Sequence, residues 1–125
     1  MIYTRDNRRP MADFRRQFPD YKVRKPNRVT GHNRAVVDYG DGAMAFILHA
    51  TEIVSIDKDG NLYLYDGGWA TRTTRKAMAE GVFELTGKRV AVYTGKKKAH
   101  VFRDFGSEEE IEFDSGSILE VENFC

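Results

Sequence analysis

Short apolar runs separated by turn residues dominate the chain from residue 34 onward. Asp-Gly occurs between the first two runs and again between the next two, and this dipeptide readily supplies the positive φ angles of a tight turn. A Gly-Lys-Lys sequence separates a third pair of runs, so the pattern predicts a series of β-hairpins. The predicted strands are residues 34–39, 43–49, 52–57, 61–65, 89–94, 98–103, 110–114 and 117–121.

One main helix is predicted over residues 74–86. Thr73 or Thr74 provides the N-cap, and Gly87 stands where a left-handed residue ends a helix at low cost. Gly81 inside the helix weakens it by about 1 kcal/mol relative to alanine. The apolar stripe consists of Met78, Val82 and Leu85.

A second, short helix is predicted near the N-terminus, between Pro10 and Pro19. Met11, Phe14 and Phe18 recur at spacings of three and four, which is typical of one apolar helix face. The residues that follow, as far as position 33, are basic and irregular.

These elements predict an α+β fold. Its hairpins form an antiparallel sheet that could curl into a partial barrel, with the 74–86 helix packed against it. The 125 residues suffice for one core. We therefore expect a basic N-terminal helix and arm over residues 1–33 and a single domain over residues 34–125.

The net charge of +1 conceals four blocks of alternating sign. Two blocks are basic: residues 1–34 hold ten Lys/Arg and three Asp/Glu, and residues 72–103 hold nine Lys/Arg and two Asp/Glu. Two blocks are acidic: residues 35–71 hold one Lys/Arg and six Asp/Glu, and residues 104–125 hold no Lys/Arg and eight Asp/Glu. These blocks either pair with one another in the fold, or they segregate and create one face that attracts polyanions. The sequence leaves both interpretations open.

Familiar catalytic and metal-binding patterns are absent from the sequence. No phosphate-binding loop, dinucleotide fingerprint or nucleophile elbow occurs, and the three histidines are not at ligand spacing. We therefore predict no catalytic residues, no metal and no cofactor. A minor alternative is a small enzyme in which His49 acts as a general base and Glu52 orients it. The longest apolar run, residues 43–48, is too short to span a bilayer, so no membrane association is expected.

The residues from Gly67 to Lys76 form the most informative cluster. They combine an aromatic anchor, Trp69, with three cations at the start of the predicted helix, namely Arg72, Arg75 and Lys76. Cations there oppose the helix dipole, and an anionic partner would reverse that penalty. The alternative is that the tryptophan fills the core and the cations are only solvated.

A second basic feature is the predicted hairpin tip with Lys96, Lys97 and Lys98, together with Arg89 on the entering strand. Basic hairpin tips are suited to phosphate backbones. An ordinary exposed turn would have the same composition.

The chain resembles small uncharacterised proteins of tailed bacteriophages, in which a Gly-Gly-Trp-x-Thr-x-Thr-Thr-Lys pattern recurs. In those proteins a His-Gly-Thr segment, a strand, a turn and a second strand precede this pattern. The chain departs from the His-Gly-Thr segment at Ala50, where glycine is usual, and from the Gly-Gly-Trp pattern at Arg75, where lysine is usual. The resemblance implies a virus-encoded protein working in the cytoplasm of a bacterial host, and it transfers no activity to any residue. The segments that carry it are His49–Val54, Asp66–Arg75 and Val90–Tyr93.

The sequence thus predicts a non-enzymatic phage accessory protein, acting in host takeover or counter-defence. Its partner would be nucleic acid or a host complex that handles nucleic acid, bound through the basic residues. The alternative is a protein-protein inhibitor that presents the acidic C-terminal block, including Glu108, Glu109 and Glu110, to a basic host protein.

Overall fold

Antiparallel hairpins joined in series build most of the structure, and the predicted α+β class is confirmed. The computed structural model describes residues 2–5, 28–31, 33–40, 42–49 and 51–125. The predicted N-terminal helix over residues 10–18 lies outside these ranges. One helix, α1 (Arg72–Thr86), occurs in the described part of the chain. The strands are β1 (Ile2–Arg5), β2 (Arg28–Gly31), β3 (Arg34–Gly40), β4 (Ala43–Leu48), β5 (Thr51–Ile56), β6 (Leu62–Tyr65), β7 (Val90–Thr94), β8 (His100–Asp104), β9 (Glu109–Phe113) and β10 (Ile118–Val121).

The strands form two separate sheets. Seven of them follow the order β1-β10-β6-β5-β4-β3-β2, and the other three follow the order β7-β8-β9. The partial barrel that the sequence allowed is not formed, because α1 carries the chain away from β6 and the next three strands pair among themselves. Only β10 returns to the larger sheet, where it lies between β1 and β6.

Both edges of the seven-stranded sheet come from the N-terminal part of the chain. Ile2–Arg5 pairs with β10, and Arg28–Gly31 pairs with β3. Both segments lie within residues 1–33, for which the sequence predicts a basic helix and arm and no strand.

Helix α1 covers one face of the large sheet and joins the two sheets. Its buried side, which includes Ala77, Met78 and Val82, packs on β4, β5 and β7. Phe46 and Leu64 from the large sheet and Phe102 from the small sheet are fully buried in the same core. The core therefore fixes the position of α1 relative to both sheets.

The start of α1 differs from the predicted start by two residues. The N-cap is Thr71, whose Oγ1 accepts a hydrogen bond of 3.2 Å from the Thr74 N–H. The predicted N-cap, Thr73 or Thr74, is therefore wrong: the first helical hydrogen bond runs from the Arg75 N–H to the Thr71 carbonyl, so Thr73 and Thr74 lie inside the first turn. At the other end Gly87 adopts φ +74°, as predicted, and donates to the Phe83 carbonyl.

Replacing Thr71 with alanine is expected to lower the free energy of unfolding by about 1 kcal/mol, because the Thr74 N–H loses its acceptor. Thr73→Ala is the matched control, since the exposed Thr73 hydroxyl does not cap the helix. It should change stability by less than about 0.5 kcal/mol. Urea unfolding of the two variants makes the comparison, and equal losses would show that Thr71 does not act as the cap.

Candidate functional site

The first two turns of α1 bring three of the predicted cations to one side of the helix. Arg72, Arg75 and Lys76 stand at positions i, i+3 and i+4, which are neighbours on a helix surface. Together with Ala79 and strand β7 they line a groove of about 530 Å³. We call this feature the basic groove.

Nothing in the described part of the chain neutralises these cations. The first turn of α1 contains no acidic residue. Within the described ranges, no carboxylate lies at ion-pair distance from Arg72, Arg75 or Lys76. Since the N-terminus of a helix is already positive, the groove concentrates charge of one sign.

Tyr93 adds an aromatic ring to the same groove and is 39% exposed. Partial burial and the nearby Glu110 raise the pKa of its phenol, and Arg103 opposes this shift. The phenol therefore stays neutral at physiological pH, and its hydroxyl already takes part in a hydrogen bond with Glu110.

The lysine tip of the β7–β8 hairpin lies at the basic end of the groove. Only three residues connect α1 to β7, and both elements line the groove, so the helix and the strand run in opposite directions. The C-terminal end of β7 therefore lies near the N-terminal end of α1. Lys97 is exposed there. Lys98 is 3.8 Å from the Asp114 carboxylate, and the Lys96 N–H donates to Glu112 over 3.2 Å.

Arg89 is not brought to this end. It precedes β7, at the C-terminal end of α1, where its guanidinium lies 5.5 Å from the centre of the Phe83 ring. A helix of 15 residues is about 22 Å long, and Arg72 and Arg89 lie at its opposite ends. We therefore do not include Arg89 in the basic groove.

The two interpretations of the charge blocks each describe part of the structure. Arg103 pairs with Glu110 at 3.0 Å and Lys98 with Asp114, so the third and fourth blocks meet across the small sheet. These pairs are half-exposed, and each contributes less than about 1 kcal/mol. The cations of the basic groove do not take part in this pairing.

Trp69 is exposed on a loop whose conformation is fixed by hydrogen bonds and by two glycines. Its side chain is 68% exposed, which excludes the expectation that it fills the core. Gly67 and Gly68 both adopt positive φ angles before it, and a Cβ at Gly67 would lie 2.9 Å from the Thr51 methyl group. The Trp69 N–H donates to the Asp66 carbonyl and closes the turn.

Asp66 fastens this loop to the last part of the chain. Its Oδ1 accepts from the N–H groups of Gly68 at 2.7 Å and Gly116 at 2.8 Å. Its Oδ2 lies 2.7 Å from His100 Nε2, and neither side chain is exposed. A carboxylate only accepts, so Nε2 carries the shared proton. Nδ1 has no hydrogen-bond partner among the described residues.

The charge of Asp66 is retained in spite of its burial. Burial alone would raise the pKa of this carboxyl, but hydrogen bonds from His100, Ser115, Gly116 and Gly68 outweigh that effect and lower the pKa from 3.8 to about 2. The sequence alone does not predict this pair. The available signal was His100 on the inward-facing side of its strand, two residues before the buried Phe102.

A cavity of about 400 Å³ lies beside Trp69, at the same end of α1 as the basic groove. The turn between β4 and β5 forms one wall, and the Asp66–Trp69 loop and the start of α1 form the others. Its lining residues are Leu48, His49, Thr51, Ile53, Asp66, Trp69, Thr71, Thr73 and Thr74. We call it the Trp69 cavity.

The geometry does not assemble His49 and Glu52 into a catalytic pair. His49 is exposed at the β4–β5 turn with φ +57°, whereas Glu52 is buried and does not line the Trp69 cavity. The described residues contain no cluster of three or more potential metal ligands.

No helix in the described ranges has the length and apolar character needed to cross a membrane.

Neither a curated protein sequence nor a solved structure matches this chain. The family described as Kyanoviridae Gp96 protein matches residues 20–120. This range contains strands β2 to β9, all of β10 except Val121, α1, the basic groove and the Trp69 loop. The resemblance to phage proteins is thereby confirmed at the level of the family, and the chain belongs to the Kyanoviridae Gp96 family of phage proteins.

Proposed function

We propose that this phage protein binds nucleic acid through the basic groove, as a stoichiometric binder rather than an enzyme, in the cytoplasm of the bacterial host. The observation that carries the proposal is the grouping of Arg72, Arg75 and Lys76 in one groove with no carboxylate at ion-pair distance in the described part of the chain. A phosphate backbone supplies the missing negative charge. Tyr93 and the exposed Lys97 extend the surface toward the hairpin tip.

The acidic alternative is less well supported by the geometry. Glu108 and Glu109 are exposed, but Glu110 and Asp114 each face a cation of this chain, and Glu112 accepts a backbone N–H. A surface that mimics nucleic acid would need these charges directed at a partner. We therefore favour the basic groove.

Fluorescence anisotropy with a labelled 20-nucleotide DNA strand tests the proposal. If three phosphates are neutralised, affinity should fall on the order of 20-fold between about 50 mM and about 200 mM salt. The triple variant Arg72→Ala, Arg75→Ala, Lys76→Ala should bind about tenfold more weakly or worse at low salt and lose most of the salt dependence.

Single variants provide a charge-matched control. Arg75→Ala and Lys58→Ala each remove one positive charge, but Lys58 lies in the β5–β6 turn, at the other end of these strands from Asp66 and the basic groove. Lys58→Ala should bind within about twofold of the wild type. Equal losses in both variants, or wild-type binding that is insensitive to salt, would refute the groove as the binding surface. Full loss of host partners in a Glu108, Glu109 and Glu110 charge-reversal variant would favour the acidic alternative.

A further inference from the structure

We propose that the Trp69 cavity receives one unpaired nucleobase of the strand whose phosphates lie in the basic groove, so that the protein selects single-stranded over double-stranded nucleic acid. This inference rests on the proposed function and specifies its substrate class.

The cavity has the size and composition of a site for a flat ring. Its volume of about 400 Å³ lies within the usual range for small-ligand pockets, about 300 to 1,000 Å³. Leu48 and Ile53 provide apolar walls, and the hydroxyls of Thr51 and Thr73 provide polar contacts. A nucleobase combines an apolar face with a polar edge and fits such a lining.

Trp69 provides the stacking surface. An indole that is 68% exposed gains little from the fold itself, yet its loop is held by Asp66 through hydrogen bonds to two segments. Little further ordering is therefore needed when a base stacks on it. Stacking on an aromatic side chain is tolerant of sequence, because every base has a π face.

The polar groups around the cavity predict weak base discrimination. The oxygens of Asp66 are already occupied by Gly68, Gly116 and His100, so this carboxylate holds the loop and does not read a base. The remaining hydroxyls and the His49 imidazole can each donate or accept. A site of this kind accommodates any of the bases.

The cavity and the basic groove lie on two sides of the same helical turns. The cavity is lined by Thr71, Thr73 and Thr74. The groove is lined by the three cations, which are interspersed with these threonines in the sequence. These positions span only about 7 Å along the helix axis. Because the two sets face different sides of a helix that is about 10 to 12 Å across, a strand must cross the first turn of α1 to place one base in the cavity and neighbouring phosphates in the groove. A duplex could fill the groove, but its bases are paired and stacked, and extruding one costs a few kcal/mol.

The test compares three fluorescein-labelled probes of equal length: a thymidine strand, the same backbone with abasic sites throughout, and a duplex. The wild type should bind the thymidine strand between about 5-fold and about 100-fold more tightly than the abasic strand. It should also prefer the strand to the duplex. Trp69 is the only tryptophan, so its fluorescence should be quenched by the thymidine strand and not by the abasic strand.

Trp69→Ala should bind the thymidine strand only as tightly as the abasic strand. Phe105→Ala is the matched control, because Phe105 is also an exposed aromatic residue, 52% exposed, on the turn between β8 and β9. It should retain the preference. Both residues are exposed, so neither variant is expected to impair folding.

The outcomes separate the two proposals. Equal affinity for the thymidine and abasic strands, tighter binding of the duplex, or an unaltered preference in Trp69→Ala would overturn the base site and leave the basic groove intact. Failure of all three probes to bind would overturn the basic groove and the base site together.

Discussion

Asp66→Asn is expected to lower the free energy of unfolding by about 3 kcal/mol at pH 7, because it disrupts a buried charge-assisted network. The carboxylate accepts hydrogen bonds from two backbone N–H groups and from His100. An amide of the same shape keeps one acceptor oxygen and turns two N–H donors toward groups that are themselves donors. Urea unfolding at pH 7 measures the loss.

The loss should depend on pH in a defined direction. The pKa of Asp66 is depressed in the folded state, from 3.8 to about 2. Its ionisation therefore stabilises the fold fully above pH 3.8 and progressively less as the pH falls toward 2. This contribution is about 2 kcal/mol at pH 7 and about 1 kcal/mol at pH 3. The difference between wild type and Asp66→Asn should shrink accordingly.

Asp59→Asn serves as the control for general acid effects. Asp59 is exposed in the β5–β6 turn, and its N–H, rather than its carboxylate, takes part in the turn. This variant should differ from the wild type by less than about 0.5 kcal/mol at both pH values. If the cost of Asp66→Asn were the same at pH 7 and pH 3, the carboxylate would not carry the charge assigned to it.

Gly81→Ala is expected to destabilise the protein by about 2 kcal/mol, although alanine is the better helix former by about 1 kcal/mol. Gly81 faces the large sheet, and a Cβ at this position would lie 2.8 Å from the Phe46 ring and 2.8 Å from a methyl group of Val54. Both neighbours are fully buried. Overpacking of this kind costs about 1 to 3 kcal/mol, or more when the neighbours cannot move.

A double-mutant cycle with Phe46→Leu isolates this contact. The smaller side chain makes room for the new Cβ, so Gly81→Ala should cost at least about 1 kcal/mol less in the Phe46→Leu background than in the wild type. If Gly81→Ala destabilised both backgrounds equally, the loss would not come from contact with Phe46 and would have another origin, for example in the unfolded chain.

Local features of the fold could be predicted from the sequence. The Asp-Gly turn of the β5–β6 hairpin forms where expected, and Asp57 there accepts the N–H groups of Asp59 and Asn61. The helix ends at Gly87 as predicted. These features depend on residues a few positions apart, whose preferences are visible in a single sequence. Gly81 shows how far such prediction reaches. The low helix propensity of glycine is a local property and could be predicted, whereas the close contact of Gly81 with β4 and β5 could not.

Long-range features could not be predicted. The division into two sheets depends on which strands pair, and the position of β10 between β1 and β6 has no sequence signal. The same holds for the contact of Asp66 with His100 and for the pairing of Lys98 with Asp114. Within the candidate site, the position of Arg72, Arg75 and Lys76 at the start of one helix predicts that they lie close together. The distance of Arg89 from them depends on the direction of β7, which the sequence does not reveal.

The pairing of β1 with β10 determines when the large sheet can be completed. Ile2 lies opposite Val121, so the contact closes a loop that contains nearly the whole chain. Closing so long a loop is entropically costly and is rewarded only after the intervening strands are in place. We therefore expect β1 to dock last during folding and to detach first. Its detachment would leave β10 as the new sheet edge, with unpaired backbone groups able to accept another strand.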